Sequence, residues 1–418
     1  MFQERISDYF EGVSAKYLSA VDARPERSNQ HEIGGLPAAG FKQFLGAPPK
    51  DEKFRFHARM AYLTDSNETP VIVEDSVTWY DVRWNQQNRS PEYRLYYKSN
   101  DVTALIAEGD FLLVGKLQDG SLLLVFTPAG STAELQLRAI FGIESVTEKF
   151  QPVRMDVASL LLPLRLVLEE LGMVLSHAGA DDDTWLERIL STFGDFGFPA
   201  TSAFSEFARN TVEADLDTIS APDDSIVAWM SHEERLFRIL ERHIVRHRLQ
   251  QGFGEKGDDV DAFVDFSLSV QNRRKSRVGR AFESHLARLF SDNNLKFEQG
   301  GGKKVTENNS KPDFLFPGFS DYGHPGFPAS SLRLLGAKTT CKDRWRQVLA
   351  EGSRIPAKHL VTLEAAISES QTDEMKASNL QLVVPAVIHP TYTAKQQAWL
   401  MSVSDFINEV RALQKTGR

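Results

Sequence analysis

Along the first 150 residues the apolar positions come in short bursts separated by turn-forming residues. Val71-Ile72-Val73, Tyr93 to Tyr97, Phe111-Leu112-Leu113-Val114 and Leu122 to Phe126 are such runs, and Gln118-Asp119-Gly120 supplies a hairpin turn between the last two. Many short strands with few helical periods predict a mostly-β barrel or pseudobarrel over residues 1–150. The spacing then changes. Leu160, Leu161, Leu164, Val167, Leu168 and Leu171 recur at helical intervals before the chain turns rich in Gly and Asp, which predicts a connector over 151–197.

A second domain is expected over 198–418. Helices are predicted at about 201–214 and 225–250, the latter with Ile226, Trp229, Leu236, Ile239 and Ile244 along one side. Val278, Phe282, Leu286 and Leu289 form another helical stripe, with Glu283 on its flank. Asp313 to Phe316 and Leu332 to Lys338 read as strands, and Cys341 to Leu349 as a helix with Trp345, Val348 and Leu349 facing inward. His359 to Leu363 and Leu380 to Val384 read as two more strands, and Ala394 to Leu413 as a closing helix. Helices and strands in this order predict an α/β domain around a mixed sheet. No internal repeat is present.

Composition changes this picture little. The 418 residues, 41% hydrophobic and 25% charged, are those of a globular protein of two domains. The lone cysteine, Cys341, excludes a disulfide framework and fits a reducing cytoplasm. The first ten residues, MFQERISDYF, carry charge where a signal peptide needs an apolar core, so secretion is not expected. The longest apolar run, Val157 to Leu168, is broken by Pro163 and Arg165 and is too short to span a bilayer. A net charge of −9 argues against a phosphate-rich partner, but bases crowd Arg273 to Arg280 and Lys338 to Arg346. The local field outweighs the sum.

The chemistry concentrates at three positions. Lys311-Pro312-Asp313 runs into a strand, Lys338 follows 25 positions after Asp313, and Glu351 comes 13 later. A phosphodiester resists hydroxide, so its hydrolysis needs a cation to neutralise charge and acidify water, with a base nearby. Magnesium takes hard oxygens, typically one or two carboxylates, which Asp313 and Glu351 offer. Lys338 is placed to orient the attacking water or stabilise the developing charge. Two bare carboxylates about 4 Å apart repel by roughly 4 kcal/mol at an effective dielectric near 20, and a cation between them is the remedy. A nuclease site of this kind usually carries an acid two residues before the lysine; here that position is Gly336, so Glu351 is the candidate replacement. Taken singly, each residue has a plainer reading: Pro-Asp as a turn, Lys338 as a strand-end lysine, Glu351 as a helix terminus, Arg273 to Arg280 as a solvated face. The chain holds no HExxH, paired CxxC, P-loop or GxSxG to suggest another chemistry.

Ser269 to Arg277, TENNSKPDFLFPG (Thr306 to Gly318), AKTTCKDRWRQ (Ala337 to Gln347) and LVVP (Leu382 to Pro385) together resemble the catalytic domain of the EcoRII- and PspGI-like restriction endonucleases. The likeness covers about 198–400. It implies a restriction-endonuclease-like (PD-(D/E)XK) α/β fold and magnesium-dependent cleavage of double-stranded DNA at CCWGG before the first C, with the central bases flipped out. Carried over by position, Asp313, Lys338 and Glu351 fall on catalytic and metal-binding positions, and Arg274 and Tyr322 on positions around the scissile phosphate. Lys342, Asp343 and Arg344 fall on the reader of the outer C·G pairs. Arg and Lys donate to guanine O6 and N7 and Asp accepts from cytosine N4, each good pairing giving roughly 1–3 kcal/mol of discrimination. The family's arginine beside the flipped-base pocket is not preserved; Trp229-Met230-Ser231-His232 stands there, and Trp229 is the residue able to stack on an extruded base.

Residues 1–150 resemble that family's N-terminal effector domain, a DNA-binding pseudobarrel, through loop positions and strand order. The candidate effector contacts are Asn29, Gln30 and His31 in one loop and Arg89, Arg94 and Lys98 about the other. The resemblance implies a cytoplasmic prokaryotic enzyme, a homodimer matched to a near-palindromic site, and a cytosine methyltransferase acting on the same site. Two other readings stay open on the residues: a nuclease of the same fold directed at modified or damaged DNA, and a two-domain DNA-binding regulator without catalysis.

Overall fold

A computed structural model describes residues 6–23, 31–66, 69–86, 88–152, 165, 167–169, 171, 173, 181–195, 197–213, 216–301, 304–341 and 344–416. The chain divides into two compact units, Met1–His177 with Ala366–Ser368, and Ala178–Ala365 with Glu369–Arg418.

The first unit is built on an eight-stranded sheet. Its strands are β1 (Phe10–Tyr17), β2 (Glu32–Ile33), β3 (Phe54–Tyr62), β4 (Val71–Asp81), β5 (Tyr93–Tyr96), β6 (Phe111–Leu117), β7 (Leu122–Thr127) and β8 (Gln151–Pro152), in the order β2-β5-β4-β3-β7-β6-β1-β8. Pairings are antiparallel except β3 with β7. The four sequence-predicted runs all lie in or against this sheet, and Leu117 closes the predicted hairpin by donating to Ser121 and accepting from Gly120. One face packs a core of Met60, Trp79, Leu95, Leu112, Leu124 and Phe126. Helix α1 (Thr132–Phe141) is capped by Ser131, whose hydroxyl accepts the Glu134 N–H.

The second unit begins earlier than its sequence suggests. Asp181-Asp182-Asp183, read as connector, opens helix α2 (Asp182–Phe193), where negative charge is favoured by the helix dipole. Trp185 and Ile189 of α2 are buried in one cluster with Phe204, Leu236 and Leu240. Helices α3 (Thr201–Thr211), α4 (Pro222–Gln251) and α5 (Val260–Asp292) complete this layer. The sheet follows: β9 (Phe314–Phe316), helix α6 (Phe319–Gly323), β10 (Arg333–Lys338), helix α7 (Trp345–Leu349), β11 (Lys358–Thr362), helix α8 (Glu369–Ala377) and β12 (Leu380–Val383). The order is β12-β11-β10-β9, with β9 antiparallel and the others parallel, which is the expected mixed α/β layout.

The closing helix is broken. A single turn at Ala394–Gln397, held by a Thr393–Gln396 capping box, is followed by a separate helix α9 (Val403–Thr416). Between them Met401 hydrogen-bonds with Leu382 and Val384 at the end of β12, so tertiary pairing outweighs helical propensity. Phe290 of α5 lies 5.2 Å from Phe314, 5.3 Å from Phe316 and 6.1 Å from Phe406 of α9. That aromatic cluster fixes β9 against two helices and leaves the residue preceding β9 at the sheet's end.

Candidate active site

Asp313 is that residue. The antiparallel register sets Phe314 opposite Leu335 and Leu315 opposite Leu334, so Asp313 comes beside Gly336 near the end of β10. Its Oδ2 accepts the Ala337 N–H at 2.7 Å and the Lys338 Nζ at 2.8 Å. Two side chains 25 positions apart thus meet because the antiparallel pairing sets the start of β9 beside the end of β10.

Glu351 follows helix α7 by two residues, rather than lying on the longer helix expected from Cys341. Its N–H donates to the Val348 carbonyl at 3.2 Å, so the last turn of α7 still sets its direction. Burial first, then the Asp313 charge, pushes the Glu351 carboxyl up to about 7, against the pull of Lys338 and Lys358. Lys358 Nζ donates to the Leu349 carbonyl at 2.8 Å, binding the C-terminal end of α7 to β11.

A third acid joins them. Glu283, on the flank of the α5 stripe, is also pushed up, by burial first and then by Asp313, with Lys338 and Arg280 opposing. Sequence reading placed it on a helix flank without a role, because nothing local shows that α5 crosses the ends of β9 and β10.

Gly336, two residues before Lys338, has no room for a side chain. A Cβ there would lie 2.6 Å from Val348 Cγ2, so α7 sits too close to β10 for any side chain. The space beside Gly336 is filled by the Val348 side chain of α7, and Glu351 follows the end of that helix.

The donors suit a hard divalent ion in type and charge, since the burial and mutual repulsion that raise Glu351 and Glu283 are relieved by a cation. Among the described residues, no group of three or more His, Cys, Asp or Glu side chains already stands at coordinating distance.

Tyr322 on α6 is buried and donates its hydroxyl to Glu307 Oε1 at 2.6 Å and Oε2 at 2.7 Å. Glu307 also accepts the Ser353 N–H at 3.2 Å. Burial would raise the Glu307 carboxyl, but the hydrogen bonds from Tyr322, its own backbone and Ser353 outweigh it and hold the group down at about 2. Arg354 reaches the Tyr322, His324 and Phe327 carbonyls. Together these contacts pin the turn that follows Glu351.

Arg274 is elsewhere on α5. It makes a two-pronged pair with Glu241 of α4, Nε at 2.7 and 2.9 Å, nine residues and about 13 Å of helix rise from Glu283. Trp229 is 5% exposed, with its ring 5.6 Å from that of His285. It lies between α4, which carries it, and His285 of α5.

Lys342 and Asp343 lie outside the described residues; Arg344 is exposed at the N-terminal end of α7. The strand end behind this loop is held by Glu364, 5% exposed, whose carboxylate accepts the Cys341 N–H. Thr362 Oγ1 donates to the Thr339 carbonyl at 3.3 Å. Burial pushes the Cys341 thiol well up, which makes it inert packing.

In the first unit Asn29 and Gln30 also lie outside the described residues. His31 packs edge-on against Tyr97 at 5.3 Å. Arg94 is engaged by Glu32 at 2.9 Å and Glu92 at 2.6 Å, while Arg89 and Lys98 are exposed. Among the described residues no helix is long and apolar enough to cross a membrane.

Residues 237–407 match the family described as EcoRII C terminal. The chain is similar to the type II restriction enzyme EcoRII of Escherichia coli, 39% identical over 217 residues, 52% of this chain and 51% of that protein. It is also similar to the type II restriction enzyme SsoII of Shigella sonnei, 27% identical over 158 residues, 36% of this chain and 50% of the other. The chain thus spans about half the length of the curated relatives it matches. Among solved structures, a PspGI–substrate DNA complex aligns with a TM-score of 0.44 and 16% identity over 52% of this chain and 94% of that one.

Proposed function

We propose, from a chain whose C-terminal half carries an EcoRII-type domain, that this protein is a type II restriction endonuclease. It cleaves double-stranded DNA at CCWGG-like sites in a prokaryotic cytoplasm whose own DNA a cytosine methyltransferase protects. One observation carries the reading: Lys338 and the Ala337 N–H converge on Asp313 beside two carboxyls raised by burial and by Asp313 itself.

Asp313 and Glu351 would hold magnesium, with Glu283 as a third oxygen donor. The ion supplies charge neutralisation and an acidified water. Asp313 fixes the Lys338 ammonium through a charge-assisted hydrogen bond, so the amine is already oriented when the scissile phosphate arrives. Lys338 then holds the attacking water and the charge growing on the phosphoryl oxygens. Arg344, with Lys342 and Asp343, reads the outer C·G pairs in the major groove. We assign the first unit a second DNA copy as effector, contacted by Arg89 and Lys98, and the working enzyme two copies of the chain.

Digestion of plasmid DNA with magnesium or chelator, with and without prior cytosine methylation, followed by end-sequencing, tests this. Breaks should fall at one five-base-pair site, require the metal and vanish on methylated DNA. Lys338→Ala should retain site-specific binding while cleavage falls by roughly a thousandfold, as expected for loss of one charge-stabilising group in an active site. Wild-type cutting by that variant would remove the lysine from the chemistry. Breaks scattered without a common site would favour a nuclease directed at altered DNA.

A further inference from the structure

Asp313 is held by the strand pairing that follows it and Glu283 by a 33-residue helix, whereas Glu351 trails α7, which is five residues long. So short a helix does not hold its shape unaided. The far side of Glu351 is fixed, because the Ser353 N–H donates to Glu307 at 3.2 Å and the Arg354 N–H to the Tyr322 hydroxyl at 3.3 Å. The near side is fixed by a lysine.

Lys358 opens β11 and is 9% exposed. Lysine is almost never buried without a partner. The sheet sets its backbone, since Lys358 pairs with Leu380 of β12 and its N–H donates to the Asn379 carbonyl at 3.1 Å. Residues two apart on a strand share a face, so Lys358 lies with Leu360 on the side of the sheet that α7 covers. There Leu360 and Val348 both close on Gly336, at 3.4 and 2.6 Å from where its Cβ would be. The Lys358 ammonium donates to the Leu349 carbonyl, the last of α7, at 2.8 Å. A helix end leaves such carbonyls to outside donors and favours positive charge beside them. The same charge draws the Glu351 carboxyl down, against its burial.

We infer that Lys358 is a positioning residue for cleavage: by holding the Leu349 carbonyl it sets the chain two residues on, so that the Glu351 carboxylate meets the metal ion beside Asp313. This rests on the metal-dependent reading above and names the residue that prepares its second acid. Charge and position predict opposite results. A nearby cation alone repels a divalent ion, so its removal should tighten metal binding. Loss of the hold on Glu351 should instead weaken binding by about tenfold or more, as for other groups that orient a metal ligand.

The test uses the full-length chain carrying Lys338→Ala, which blocks cutting, on a duplex with the proposed site, and follows manganese uptake by electron paramagnetic resonance. Adding Lys358→Met, which keeps the apolar stem and removes the ammonium, should weaken manganese binding by about tenfold. Adding it to a Glu351→Gln protein should weaken binding no further, because both changes act through one side chain. Duplex binding in chelator should be unchanged, since the buried ammonium is spent on the protein's own backbone. Lys358→Gln, with a neutral polar head, should shift manganese binding in the same direction, and it carries the test if the methionine protein does not fold. Tighter or unchanged manganese binding in a folded Lys358 variant, losses that add to those of Glu351→Gln, or weaker duplex binding in chelator would overturn the assignment and leave the cleavage reading standing. A parent protein that takes up no manganese would remove the metal reading itself, and the role of the lysine with it.

Discussion

Glu351 shows what single side chains do in this site. Its folded-state carboxyl titrates near 7 against an ordinary value of 4.5, because it is half-buried and close to Asp313. A raised acid favours the protonated folded state, so its contribution to stability is full below pH 4.5 and is lost as pH climbs through 7. In chelator, wild type should therefore lose on the order of 1–3 kcal/mol between pH 5 and 8 from this group. Glu351→Gln should flatten that slope while abolishing metal-dependent cutting. Urea unfolding at several pH values decides it; identical slopes in the two proteins would show that burial does not raise the Glu351 carboxyl. That Asp313, Lys338 and Glu351 lie near one another was legible at this scale, because a Pro-Asp ahead of one strand, a lysine ending the next and an acid after the following helix are brought to one edge of the sheet. The approach of Glu283 to Asp313 was not, since it arises only once α5 packs against the sheet. Trp229 and Arg274 mark the converse limit. Residue type suggested stacking for Trp229 and the resemblance a phosphate contact for Arg274, whereas the contacts they make, with His285 and with Glu241, depend on which helix face each occupies.

At the scale of elements, periodicity found the strands of the mixed sheet and the long helices, where apolar spacing repeats over several turns. It failed where tertiary contact overrides local preference. An acidic run became the dipole-favoured start of α2, and the closing helix broke where Met401 pairs with β12. Gly336 belongs with these cases. Its lack of a side chain reads as a missing acid in the sequence and as a helix contact in the fold, because Val348 leaves no room. Gly336→Ala should cost about 1–3 kcal/mol of stability by overpacking against α7. It should also depress cleavage more than DNA binding, because α7 carries Glu351 on its trailing end. Pairing it with Val348→Ala should recover much of both losses. A Gly336→Ala protein of wild-type stability, measured by thermal unfolding, would show that α7 moves freely over β10.

For the whole molecule, the two-unit organisation was readable from the change of apolar period, because alternating short strands and long helical stripes are different patterns. The place of division was not, since a polar stretch and a helix N-terminus have the same composition. On the proposed effector reading, the bases of the first unit divide by what already holds them. Arg94 is held between Glu32 and Glu92, and Glu32 is 4% exposed, so Arg94 neutralises a buried acid of the sheet. Arg89 and Lys98 are exposed cations with no such duty evident in their burial. Removing Arg94 should therefore act on folding: Arg94→Ala should lower the stability of this unit on the order of 2 kcal/mol, a value discounted because Arg94 is itself about one-third exposed. Arg89→Ala with Lys98→Ala should leave stability near wild type. It should instead reduce the stimulation of cleavage by an added duplex bearing the site, and flatten the salt dependence of that stimulation by about two phosphate contacts. Cleavage of a single-site plasmid, with and without the added duplex at two salt concentrations, separates the cases. If Arg94→Ala proved fully stable yet insensitive to the second duplex, the buried pair would be the DNA contact, and the exposed bases ordinary solvated surface.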